Sequence, residues 1–187
     1  MTLDEIKGHR DFISVENMYF DYVQDDEILK IVLQERVELG SFYTSYNDIF
    51  PKLLTVAYAN FFEKIVCEFI TNCFHVKNEV MANFVSNQAL ERKYHAMFNW
   101  KENNANQFYG LFGASFRETI KQNLQQDVVM KENEKNFMNL GRFRNEIVHK
   151  GISTYNLSLS ASDVYQSFIK ATAFVVFIFD ELKRLFH

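Results

Sequence analysis

Leu140-Gly141-Arg142-Phe143-Arg144-Asn145-Glu146-Ile147-Val148-His149-Lys150-Gly151 reads as the closing turns of an amphipathic helix. Phe137, Leu140, Arg144, Ile147 and Val148 recur at spacings of three or four, which makes one side apolar and leaves Arg144 on its edge. Gly151 supplies the stop. The same turns carry chemistry. Arg is a permanent cation that clamps phosphate, and His is the side chain best suited to moving protons near neutral pH. An Arg-Asn pair four and five residues ahead of a His therefore suggests phosphodiester cleavage without a metal.

Downstream, residues 152–160 form a loop of Ser, Thr and Asn. A last helix, capped by Ser160 or Ser162, is expected from about Asp163 to Phe186. Its seam of Val164, Phe168, Ala171, Val175, Ile178, Phe179 and Leu182 should pack on the rest of the chain. Upstream, a polar segment near Lys131 to Lys135 leads into the motif helix. Ser115 is a possible cap for a helix running to about Gln126. Phe108 to Gly113 sets two glycines among aromatics, as in a turn or a tight packing contact, and Lys101 to Asn106 reads as a polar loop. Ala89 to Trp100 and the Val80, Met81, Phe84, Val85 cluster each fit a short helix.

The most hydrophobic helix of the first half runs from Pro51 to about Phe74. Apolar residues from Leu53 to Ile70 cover most of its circumference, so it sits centrally or also meets a second subunit. Gly40 is a plausible helix stop and Ser45 to Pro51 a restart, with Asn47 or Asp48 as N-cap. Residues 1–45 then make two short helices. These elements give an all-α chain, an up-and-down bundle of about four core helices at residues 46–187 with an N-terminal helical extension at 1–45.

Composition agrees. One proline and six glycines in 187 residues leave few breakers, and 20 phenylalanines imply an aromatic interior. The net charge of −4 argues against a long basic nucleic-acid face, so positive charge must be local and any RNA footprint short. Cys67 and Cys73, six apart on one helix, point to different faces and read as small packed hydrophobes in a reducing compartment. Charged residues open the chain and the apolar run Ala171 to Phe179 is too short for a bilayer, so the expectation is a cytoplasmic protein with no membrane partner.

On a helix, Asn145 and His149 lie one turn apart, while Arg144 and His149 are separated by about 140° and about 7.5 Å along the axis. One copy gives a sparse site. Two such helices across a two-fold axis pool two Arg and two His in one cleft. For RNA the substrate's 2′-hydroxyl is the nucleophile, which DNA lacks. His149 takes that proton or protonates the leaving 5′-oxygen, Arg144 stabilises charge on the phosphorane oxygens, Asn145 orients His or phosphate, and Lys150 adds positive charge. The plain alternative has His149 interacting with the helix C-terminus while Arg142 and Arg144 pair with acids such as Glu146.

Arg144-Asn145-Glu146-Ile147-Val148-His149 resembles the Arg-Asn-x-x-x-His signature of HEPN domains (higher eukaryotes and prokaryotes nucleotide-binding). Ala57-Tyr58-Ala59-Asn60-Phe61-Phe62-Glu63 is similar to the early core helix of the RiboL-PSP-HEPN branch. The resemblance covers roughly residues 50–187; residues 1–45 and 76–130 add nothing to it.

It implies a helical bundle that dimerises around a shared cleft, with Arg144 and His149 as the catalytic pair and Asn145 as close support. Lys150 and Arg142 are the substrate-binding candidates. The implied activity is endoribonuclease cleavage of RNA without cofactor or metal, leaving a 2′,3′-cyclic phosphate and a 5′-hydroxyl. The implied setting is a toxin or antiviral defence system, with an antitoxin or defence protein as a possible partner. The other reading is a non-catalytic module that binds a nucleotide, RNA or protein. His75 and His95 read as packed or partly exposed histidines without zinc-like spacing, and Glu63 as a residue near the site, at a dimer contact or partly exposed.

Overall fold

A computed structural model describes residues 1–75 and 93–186, apart from the side chains of 74, 75 and 186. The Val80–Val85 helix, the first residues of the Ala89–Trp100 helix and the His75 side chain lie outside that description. The described elements are α1 (Leu3–Lys7), α2 (Arg10–Glu35), a 3₁₀ turn (Val37–Leu39), α3 (Gly40–His75), α4 (Tyr94–Met97), α5 (Asn106–Gly110), α6 (Ala114–Gln126), α7 (Val128–Lys150) and α8 (Ala161–Phe186). Among the described residues there is no strand.

Four long helices make the bundle, and their aromatic contacts fix its directions. Tyr22 stacks on Phe50 while Asp11 meets Lys64, so α2 runs antiparallel to α3. Tyr58 stacks on Phe168 and Phe69 on Phe179, so α3 and α8 run parallel. Phe62 and Phe174 both meet Phe137, which places α7 against the central pair. The expected up-and-down, all-α bundle is the fold. Every residue of the α8 seam is buried, Val164 through Leu182. By length and composition α8 would also suit a bilayer, but its apolar side is taken up by α3 and α7.

The N-terminal half departs from expectation. α2 is one 26-residue helix, and Gly40 opens α3 in right-handed helical conformation (φ −56°, ψ −39°) instead of stopping a helix. The turn belongs to Arg36, whose backbone leaves helical space at φ −128°, ψ 70°. Pro51 lies inside α3 and does not restart it, and the 45/46 division falls within that helix. Proline's fixed φ suits a helix; its cost is the missing N–H and a clash with the preceding turn. Here Pro51 is buried and Thr55 Oγ1 donates to its carbonyl (2.8 Å), so tertiary packing offsets the local penalty. α2 is held to α3 less by apolar burial than by Tyr43 Oη donating to Asp26 (2.9 Å), Tyr22 Oη donating to Asn47, and stacked tyrosines.

Nearer the motif, residues 131–135 are helical and not a lead-in: α7 begins at Val128, capped by Asp127 accepting from Met130 N–H (2.9 Å). Gly113, at φ 103°, precedes α6 where Ser115 was the expected cap. Of the Ala89–Trp100 segment only Tyr94–Met97 is helical among the described residues. Ser160 caps α8, with Oγ accepting from Asp163 N–H (3.1 Å). Val148 is exposed, so the apolar side of the motif helix ends at Ile147.

One buried acid ties the loop before α5 to α7. Glu134, 4% exposed, accepts from Tyr109 Oη (2.6 Å) and Ala105 N–H (2.7 Å). Burial pushes its carboxyl above the usual carboxylate range, against those hydrogen bonds. The folded state thus holds this proton more tightly than the unfolded chain. The resulting stabilisation is full in acid and is lost as pH rises from the ordinary Glu value through the raised one. Glu134→Gln keeps an acceptor for both donors and should flatten the fall in melting temperature over that window. Glu134→Ala strands both donors and should cost about 1–3 kcal/mol. Thermal melts from pH 4 to 8 separate the two; equal slopes for wild type and Glu134→Gln would refute the assignment.

Candidate functional site

The last two turns of α7 present the motif, and the chain after it explains where the helix ends. Gly151, at φ 89°, donates its N–H to Ile147 O (2.9 Å), and Thr154 Oγ1 donates to Lys150 O. These contacts cap the helix without the His149 side chain, which is exposed. His149 thus makes no hydrogen bond to the helix end, although it lies in the last turn, where positive charge suits the helix dipole.

Arg142, Asn145, His149 and Lys150 line one wall of an open groove of about 410 Å³. The facing wall is Phe98-Asn99-Trp100-Lys101. The only carboxylate among the described residues of the groove, Glu146, accepts from Lys150 Nζ (3.0 Å), and this bond holds its pKa below the usual Glu value. Lys150 also sits over the Tyr155 ring, 5.2 Å from its centroid. Arg142 and Lys101 have no ion-pair partner among the described residues, so the groove is locally basic on an acidic chain. The plain alternative paired Arg142 and Arg144 with Glu146; neither forms an ion pair with it, although the Arg142 charge helps lower the Glu146 pKa.

Arg144 points elsewhere. It lines a smaller cavity with Phe62, Tyr94, His95, Trp100 and Phe137, large enough for about one water. Its Nη1 donates to Asn145 Oδ1 (3.2 Å), and its buried Nε has no partner among the described residues. The motif is thus divided by Trp100, which borders both spaces, and Asn145 links the two halves. Asn145 orients Arg144 within one chain; no bond to His149 is formed.

Three features escaped sequence reasoning. The first is the Trp100 partition: its Nε1 donates to His95 O (2.9 Å) and its ring lies directly on Gly141. A glycine inside a strongly amphipathic helix, one turn ahead of the Arg-Asn pair, was the available signal for such a close approach. The second is a pair between His95 Nε2 and Glu63 Oε2 (3.3 Å). Burial lowers the His95 pKa, with Glu63 pulling it up and the Arg144 charge pushing it down. The third is Lys101, whose place in a polar loop gave no hint that it faces the motif. NMR titration of His95 should give a midpoint below 6.5 that rises in Arg144→Gln and falls further in Glu63→Gln. A midpoint indifferent to Arg144 would show that the two groups do not face one another.

The family comparison agrees with this geometry. A family model described as RiboL-PSP-HEPN matches residues 22–184. The chain belongs to the RiboL-PSP-HEPN family. HEPN domains are helical and often act as ribonucleases, so membership supports an RNase or nucleotide-related module. The HEPN match also reaches further upstream than the motif's surroundings implied, taking in half of α2 and all of α3. No curated protein and no solved structure matches the chain. Among the described residues, no three His, Cys, Asp or Glu side chains gather as a metal-binding group.

Proposed function

We propose that this HEPN protein is an endoribonuclease that cleaves RNA by attack of the 2′-hydroxyl, without a metal. The observation carrying the reading is a groove in which an exposed imidazole, His149, sits among Arg142, Lys150 and Lys101, with the one carboxylate among its described residues engaged by Lys150. His149 accepts the 2′-hydroxyl proton or donates one to the departing 5′-oxygen, while the 2′-oxygen bonds phosphorus and the P–O5′ bond breaks. The products are a 2′,3′-cyclic phosphate and a 5′-hydroxyl. Arg144, one hydrogen bond from the groove through Asn145, stabilises the charge gathered on the phosphoryl oxygens.

Among the described residues one chain supplies a single groove imidazole, while the reaction uses both a base and an acid. A homodimer that faces two grooves supplies the second His149. The setting that fits a short-footprint RNase of this family is toxin activity or antiviral defence, held in check by a protein partner.

The placement of Arg144 across Trp100 from His149 favours the other reading, a module that binds nucleotide, RNA or protein without turnover. The deciding experiment incubates purified protein with tRNA and structured mRNA in EDTA and maps the fragment ends. Cyclic-phosphate ends from RNA, with a matched DNA untouched, support the enzyme. No cleavage by a folded dimer across these RNAs leaves the binding module.

A further inference from the structure

We propose that the groove is a nucleobase-stacking subsite, with Trp100 as the platform for one unpaired nucleotide of RNA beside the phosphate that His149 addresses. Its position next to a reacting phosphate rests on the ribonuclease reading; its ability to bind a base does not. Two independent features point to this ligand. The first is rigidity. Trp100 is half-buried, with Nε1 on His95 O, its ring against Gly141 and Phe98 at 4.8 Å between centroids. A ring fixed before the ligand arrives pays no ordering entropy, and base–aromatic stacking is the sequence-tolerant way to hold single-stranded nucleic acid.

The second is charge. Lys101 and Arg142 lie on the groove outside any ion pair among the described residues, although the Arg142 charge acts on the Glu146 carboxylate that Lys150 holds, and they flank an otherwise mainly apolar space of about 410 Å³. An apolar floor between two cations that are held in no ion pair among the described residues complements a base attached to phosphates at both ends. It suits an apolar peptide poorly, since binding one would bury those cations unpaired. Asn99 and Asn145, also on the groove, place amides where they can read a base edge.

The chain contains a single tryptophan, so its emission reports on this platform alone. The experiment titrates the full-length protein with short 2′-O-methyl oligoribonucleotides, which bind without being cut. It repeats the titration with an abasic residue at each position in turn, and with inorganic polyphosphate. The expected result is saturable quenching of Trp100 that is lost at one abasic position, with binding there weakened roughly ten- to hundred-fold. Lys101→Ala weakens every oligonucleotide alike and reduces the salt dependence. Trp100→Leu, assayed by anisotropy of a labelled oligonucleotide, no longer distinguishes the abasic strand.

Equal quenching by abasic strands or polyphosphate would reduce the groove to a phosphate contact and overturn the proposal. So would oligonucleotide binding that leaves Trp100 emission unchanged, or no binding at all. The outcome is separable from catalysis. Quenching without cleavage of natural RNA would sink the ribonuclease and keep the subsite, whereas cleavage without quenching would do the reverse.

Discussion

His149→Ala and Arg144→Gln each lower RNA cleavage by at least about a hundred-fold, the range expected for losing a proton-transfer group or a stabilising cation. The two variants differ in what else they disturb, and that difference makes the test sharp. His149 is exposed and the α7 C-terminus is capped by Gly151 and Thr154, so its removal should change stability by no more than about 0.5 kcal/mol. Arg144 lies among Phe62, Tyr94, Trp100 and Phe137; glutamine retains part of its bulk and polarity, where alanine would leave a void. Arg144→Lys keeps the charge but loses the planar fork that reaches Asn145, and should recover only part of the rate. If cleavage persists in His149→Ala, the imidazole is not the proton carrier. If both variants melt early and cut normally, the motif is a packing device.

How far this site could be read in advance follows from which signals are local. The Gly151 stop, the Ser160 cap (one of the two candidates) and the α8 seam are set by residues within a few turns of one another and stand where the pattern put them, while the motif helix starts earlier, at Val128, and its apolar side stops short of Val148. Gly40 and Pro51 misled because both are local breakers overridden by distant packing of α3 on α2 and α8. α2 itself buries only Phe12, so it carries little amphipathic signal; its acids Asp25 and Asp26 instead accept from tyrosines of α3 some twenty residues away across the turn. The same limit applies at the site. Arg144, Asn145 and His149 are adjacent in sequence and were legible as a group. That Trp100 divides them, and that Glu63 and His95 gather beside Arg144, depends on α3, α4 and α7 converging, which no spacing in one helix encodes. The apparent conflict between an acidic chain and the proposed RNA ligand is also eased only in three dimensions, where Lys101 joins Arg142 and Lys150 around one groove.

Gly141→Ala should be among the most damaging single-methyl changes available in this chain. In an isolated helix the substitution would help, because glycine in a helix interior is worse than alanine by roughly 0.5–1 kcal/mol. Here an added Cβ falls 1.9 Å from Trp100 Cζ3 and 2.3 Å from Cε3, far inside contact distance. The indole cannot simply swing aside, being bonded through Nε1 to His95 O and set among Tyr94, Phe98 and Phe137. Either α7 moves off its neighbours or Trp100 leaves its slot. Overpacking of this kind costs about 1–3 kcal/mol, occasionally more, which outweighs the propensity gain. At about 2–4 °C per kcal/mol for a chain of this size, the melting temperature should fall by several degrees. Trp100 emission should shift to the red as the ring meets water, and oligonucleotide binding should weaken with it. The double variant isolates the cause: in a Trp100→Leu background the clash is gone, and Gly141→Ala should turn neutral or stabilising. If Gly141→Ala lowers stability equally in both backgrounds, the glycine serves the helix backbone, and Trp100 is not seated on it.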